Sequence, residues 1–115
     1  MASFFRNVLA SGIGATEQLI MTTGALTPNA NPTANTTVIG LSLTNTTENI
    51  VLASIRLDNG STSAYFVKEV AVPPNQSLRV INGGEKLILA PDTDVYMSSS
   101  SAASLDLVLS CVEIV

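Results

Sequence analysis

Apolar residues in this 115-residue chain recur at every second position, and turn-forming dipeptides interrupt them about every ten residues. A side-chain period of two belongs to a strand with one face in a core and the other in water, so the chain reads as all-β. Val38 to Thr44 is the clearest case, with Ile39, Leu41 and Leu43 on one face and small or hydroxyl residues on the other. Asn49 to Asp58 follows, with Val51, Ala53, Ile55 and Leu57 inward and Ser54, Arg56 and Asp58 outward. Thr46-Thr47-Glu48 is expected to join these two as a hairpin loop.

Asp58-Asn59-Gly60-Ser61 predicts a tight turn, because Asn and Gly accept the positive φ that primed hairpin turns demand. A strand is expected from Ser63 to Val72, stopped by Pro73 and Pro74, which cannot donate to a ladder. Gln76 to Ile81 resumes with Leu78 and Val80 inward. Asn82-Gly83-Gly84 turns the chain, and Glu85 to Leu89 forms a short strand. After the turn Ala90 to Thr93, Asp94 to Ser98 places Val95 and Met97 on one face, and the serines from Ser98 to Ser101 mark a loop. The last strand, Leu105 to Val115, has Leu105, Leu107, Leu109 and Cys111 on one side and Val108, Val112 and Ile114 on the other. Both of its faces are expected to be covered, either by the chain's own loops or by another subunit or the arm. With a further strand at Glu17 to Thr22, about eight short antiparallel strands suit a single β-sandwich, jelly-roll or immunoglobulin-like.

Two segments lie outside this minimum. Residues 24–36 lack periodicity and read as a long surface loop. Residues 1–14 carry Phe4, Phe5, Arg6, Val8 and Leu9 among Gly and Ser, and read as an extended N-terminal arm whose apolar side chains seek a partner. The sandwich domain then spans 15–115. On this reading, deleting residues 1–14 leaves a folded domain that no longer joins its partner.

Composition excludes several functions. Hydrophobic residues at 46% against 12% charged residues exclude a disordered chain. A net charge of −4 gives no footprint for nucleic acid. There is no His and one Cys, so a Ser-His-Asp triad, a Cys-His pair, the usual zinc sites and an intrachain disulfide cannot be built. No secretory signal or apolar span of membrane length is present, which points to cytoplasmic synthesis and no membrane contact. No cofactor is expected.

The remaining chemical motifs have plainer explanations. Asp92 and Asp94, with Glu85 and Asp106, are of the residue type that supplies oxygen ligands to calcium, but Asp in a turn ordinarily caps backbone donors, and that is the reading expected here. The nine acids show no pair at glycosidase spacing. Gly12-Ile13-Gly14 lacks the strand and helix of a phosphate loop. Asn35, Asn45, Asn59 and Asn75 open glycosylation patterns that, without secretion, mark only surface turns. Cys111 alternates with leucines as a core residue.

Read in order, several segments resemble a known group. They are Gly12 to Gly14 with Ala15-Thr16, Val38 to Leu41 with Asn45, Tyr65 with Lys68, Val72-Pro73, Gly83 to Leu89 with Asp92, and Leu105-Asp106 through Glu113. Together they are similar to small β-sandwich virion structural proteins of tailed bacteriophages, especially phages of aquatic bacteria. Phe5 and Asn7, which stand at basic positions of that pattern, and the loop at 24–36 depart from it. The resemblance implies a non-enzymatic virion protein made in the bacterial host cytoplasm. Its first form is a capsid cement or decoration subunit, a homo-oligomer and by preference a trimer, bound to the major capsid protein. A neck, tail or fibre subunit is the alternative. A carbohydrate-binding sandwich is a third, disfavoured by the absence of Trp. The residues expected to carry assembly are Phe4, Phe5, Arg6, Val8 and Leu9 of the arm with Val108, Val112 and Ile114 of the last strand.

Overall fold

The computed structural model describes residues 3–24, 33–81 and 86–114. Among them the alternating segments form nine strands and no helix: β1 (Ser3–Ile13), β2 (Gln18–Thr22), β3 (Asn35–Asn45), β4 (Val51–Asp58), β5 (Ser63–Val72), β6 (Ser77–Ile81), β7 (Leu87–Leu89), β8 (Asp94–Ser99) and β9 (Leu105–Ile114). One sheet runs β1-β9-β3-β6, with β7 also paired to β3, and the other runs β2-β8-β4-β5. All pairings are antiparallel.

The pairings β4·β5, β3·β6 with β3·β7, β2·β8 and β1·β9 describe one long ribbon folded back on itself and rolled into two layers. That is the jelly-roll order, and it decides between the two sandwich types. The fold in the ribbon is the Asn59-Gly60 turn, as its residue types demand. Gly60 has φ +93°, the Asp58 carboxylate accepts from the Gly60 N–H at 2.7 Å, and Asn59 Oδ1 accepts from the Ser61 and Thr62 N–H groups.

The core between the sheets holds Ile13, Val38, Leu41, Leu43, Val51, Ala53, Ile55, Met97, Leu105, Leu107, Leu109 and Cys111, each at most 3% exposed. Val51, Ala53, Ile55, Val95 and Met97 point inward as their alternation predicts, and Leu78, Val80 and Leu57 pack partly buried at the margin.

Residues 46–48 do not make a hairpin. β3 and β4 belong to different sheets, so this segment is a corner between layers. Asn45 holds it: Nδ2 donates to the carbonyls of Asn49 (2.7 Å) and Val72 (3.0 Å), and Oδ1 accepts from the N–H (2.9 Å) and hydroxyl (2.7 Å) of Thr47. Asn45 is wholly buried, which removes it from the surface turns expected from its glycosylation pattern. Replacing it strands the buried carbonyl of Val72 and unties the corner at Thr47 and Asn49. Asn45→Ala is therefore expected to cost about 2 to 3 kcal/mol, read as a lowered urea midpoint with unchanged slope; a loss under about 0.5 kcal/mol would show that water takes over its bonds.

Ile39 is also displaced from expectation. The β3–β9 register slips between Val38 and Gly40, a bulge that sets two residues of β3 against one of β9. Val38 takes the core position, and Ile39 turns outward at 40% exposure.

The segment read as an arm is a strand. Residues 3–13 form β1 along β9, from Ser3 opposite Ile114 to Ile13 opposite Leu105. Ile13 is fully buried, and Val8 and Ala10 pack against the core. The loop placed at 24–36 is shorter at its C-terminal end, because Asn35 and Thr36 open β3. Its residues 25–32, and the turn at 82–84 with Glu85, lie outside the described residues.

Candidate functional site

Asp94 and Asp106 of the candidate calcium site are each engaged by separate neighbours. Asp94 accepts from the Thr22 hydroxyl at 2.7 Å and the Tyr96 hydroxyl at 3.3 Å, and Asp106 accepts from the Gly12 N–H at 3.1 Å. No group of three or more Cys, Asp or Glu able to hold a metal occurs among the described residues. Cys111 lies in the core, where burial, and next the charge of Glu113, push its thiol up to about 11. A thiol so placed stays protonated at neutral pH and is a poor nucleophile.

The outer face of the β2-β8-β4-β5 sheet is crossed by charge. Arg56 donates to the Glu17 carboxylate at 2.7 and 2.9 Å and to Asp58 at 3.3 Å, and its guanidinium lies 4.4 Å from the Tyr96 ring centre. The hydrogen bond from Arg56 holds the Glu17 carboxyl below its ordinary range. Across four strands the row reads Leu19, Tyr96, Arg56, Tyr65, so its apolar members are separated by a paired cation. Tyr65 is itself covered on one side by Lys68, 4.1 Å from the ring centre.

The outer face of the β1-β9-β3 sheet is different. Register places Phe5, Val112, Thr37 and Ile88 in one row across β1, β9, β3 and β7, with the bulged Ile39 beside them. A second row holds Leu9, Val108, Ser42 and Arg79 across β1, β9, β3 and β6. Between the rows sit Asn7, Ser110 and Gly40, whose small side chains leave a shallow depression bordered by Phe5 and Ile39. Phe5 is 82% exposed, Ile88 72%, Leu9 68% and Val108 46%. Charged side chains stand only at the margin among the residues of these rows, at Arg79. Large exposed aliphatic and aromatic groups set in two rows on either side of a small polar depression, instead of scattered singly, are what a contact surface presents.

The eight residues expected to carry assembly divide. Phe5, Leu9, Val108, Val112 and Ile114 share the outer face. Phe4, Arg6 and Val8 alternate to the inner side of β1, where Val8 packs on the core. Arg6 Nε donates to Glu113 at 2.7 Å, with the two side chains only 11% and 4% exposed, and its guanidinium lies over Phe4. Arg6 is thus an internal clasp between β1 and β9. The expectation that the outer side of β9 is covered by the chain's own loops is corrected, since Val108 and Ile114 are open to solvent. Ile39 and Ile88 join the face without having been anticipated. For Ile39 the signal was Gly40, since an isolated Gly within a strand marks a bulge.

No protein-family model matches the chain, and no curated protein matches it. Among solved structures the chain is similar to a subunit of Bacillus endospore appendages, described as a novel family of disulfide-linked pili. The TM-score is 0.53 at 13% identity, over 96% of this chain and 86% of that one. At that identity the likeness concerns the fold alone.

Proposed function

We propose that this chain is a non-enzymatic structural subunit of a phage virion, a cement or decoration protein that seats the outer face of its β1-β9-β3 sheet on the shell. The observation that carries the reading is the open apolar face of Phe5, Leu9, Ile39, Ile88 and Val108 on a jelly roll whose other face is crossed by ion pairs. The ordered strand and turn segments from Gly12 to Glu113 that are similar to phage virion proteins supply the particle. The pilus subunit agrees in being a building block. Its disulfide linkage finds no counterpart in the buried Cys111. A place in the neck, tail or fibre uses the same contact chemistry and differs in stoichiometry.

Particles purified from a lysate of the source organism by density gradient are expected to contain the chain at a fixed ratio to the major shell protein. A ratio near parity supports the shell, and a ring-sized trace supports the neck or tail. In the same particles Val108→Asp is expected to be missing, although the isolated variant melts within about 3 °C of the parent, because an exposed strand position tolerates such a change. Absence of the parent chain from particles, or normal incorporation of Val108→Asp, would overturn the proposal.

A further inference from the structure

Strand β1 is one edge of its sheet, and nothing among the described residues pairs with its outer side. In an antiparallel ladder every second residue of such a strand turns its N–H and C=O away from its only neighbour, so β1 displays unpaired backbone groups along its length. Natural edges are commonly guarded by Lys, Pro or a bulge. This one is regular against β9 from Ser3 to Ala10, contains no Lys or Pro, and slips only between Ala10 and Ile13.

We propose that a second copy of this chain docks on the free edge of β1, antiparallel about a two-fold axis through Asn7, so that Phe5 of each copy lies opposite Leu9 of the other. Two separate observations select this register. The first is length: centring the pairing on Asn7 matches Ser3 with Ser11 and uses the whole stretch before the bend at Gly12, where φ is +64°. The second is side-chain fit. On the outer face Phe5 meets Leu9 twice and Asn7 meets Asn7, which can exchange amide hydrogen bonds across the axis. On the inner face Arg6 meets Val8 and Phe4 meets Ala10. A register slip of one residue places Phe5 opposite Val8, on the wrong face, and moving the axis a whole residue to Arg6 or Val8 sets Phe5 against the polar Asn7 or Ser11.

Charge permits the contact. Arg6 is the one charged residue of β1, and Glu113 already neutralises it at 2.7 Å, so no like charges meet at the axis. Area sets its strength. Phe5 and Leu9 touch flank to flank across the axis while their tops stay open, so the contact adds lateral apolar burial to the paired backbone edges and falls at the lower end of specific interfaces, near ~1,000 Å². A concentration-dependent dimer is the consequence. The pairing also joins the apolar outer faces of the two copies into one surface twice as wide, while a two-fold contact replaces the threefold expected from the sequence.

The contact rests on the reading of this chain as an assembling subunit, but the two fail separately, since dimerisation concerns the purified full chain and incorporation concerns particles. Sedimentation equilibrium of the purified chain from 1 μM to 1 mM is the test. The parent is expected to pass from monomer to dimer, and Phe5→Lys and Leu9→Glu, each at an exposed position, are expected to weaken the dimer at least about tenfold with unchanged melting. Mixed in equal amounts, the two variants are expected to recover a heterodimer of near-parent affinity. In this register Lys at position 5 of one copy faces Glu at position 9 of the other, and the second pair keeps its native Phe and Leu. A parent that stays monomeric at 1 mM, a trimer or open-ended polymer, or a mixture that recovers nothing would each overturn the proposal.

Discussion

A chain lacking residues 1–13 is expected to lose cooperative folding, in contrast to what an independent arm predicts. β1 contributes the fully buried Ile13 and the partly buried Val8 and Ala10. Burial of Ile13 alone is worth about 1.5 to 3 kcal/mol. The carbonyl of Ile13 accepts from the Ser104 N–H at 3.0 Å, so its loss leaves a donor without its partner. Removal also uncovers one side of β9 and leaves the nearly buried Glu113 without Arg6, a defect costing about 3 to 5 kcal/mol by itself. Together these reach the whole stability of an ordinary domain, about 5 to 15 kcal/mol. Circular dichroism during heating is expected to show no sharp transition for the truncated chain. A melt within a few degrees of the parent would establish that β1 is dispensable to the fold.

Arg6→Met is expected to produce the largest effect of any single substitution considered. The change keeps most of the apolar stem but removes the guanidinium, leaving a carboxylate whose side chain is 4% exposed beside the Cys111 core. Breaking one half of a buried pair costs more than the pair contributes, because the remaining charge cannot regain water. A loss of about 3 to 5 kcal/mol follows, or roughly 10 to 20 °C in melting temperature for a domain of this size. The double variant Arg6→Met with Glu113→Leu separates the causes. It is expected to recover most of the loss, since apolar groups of similar volume replace buried ion pairs at little cost. A double variant no more stable than Arg6→Met would assign the effect to packing of the Arg6 stem on Phe4 instead.

The strands were legible where the alternation was undisturbed. Ser63–Val72 matches its expected limits, β8 runs one residue past its expected end, β9 opens at Leu105 as expected and runs to Ile114, the last described residue, and the Asn59-Gly60 turn stands where its residues require. What could not be read was the partner of each strand. Residues 46–48 have hairpin composition, yet the buried Asn45 amide bonds Val72 from another part of the chain and sends β4 into the opposite layer. β1 was hidden by its own pattern. Its inner face carries Arg6, a residue that belongs in a core only when a carboxylate awaits it, and Glu113 stands at the far end of the sequence. Most of the candidate surface was legible as well, since Phe5 and Leu9 on β1 and Val108, Val112 and Ile114 on β9 are apolar groups on the outward faces of their strands. Ile39 was misplaced because a bulge changes which face a residue occupies without changing the composition of the strand.

The division of β1 into an inner side that locks the fold and an outer side that faces solvent has an evolutionary consequence. Core positions such as Ile13, Leu107 and Leu109 are bound by packing, where a single methylene is felt. Phe5, Leu9, Ile88 and Val108 carry almost no such obligation, and substitutions at exposed positions of that kind usually change stability by under about 0.5 kcal/mol. A lineage can therefore rewrite this face and redirect the same scaffold to a new neighbour without passing through an unfolded ancestor. Segments that preserve strand and turn signatures while their outward side chains drift are what such a history leaves behind.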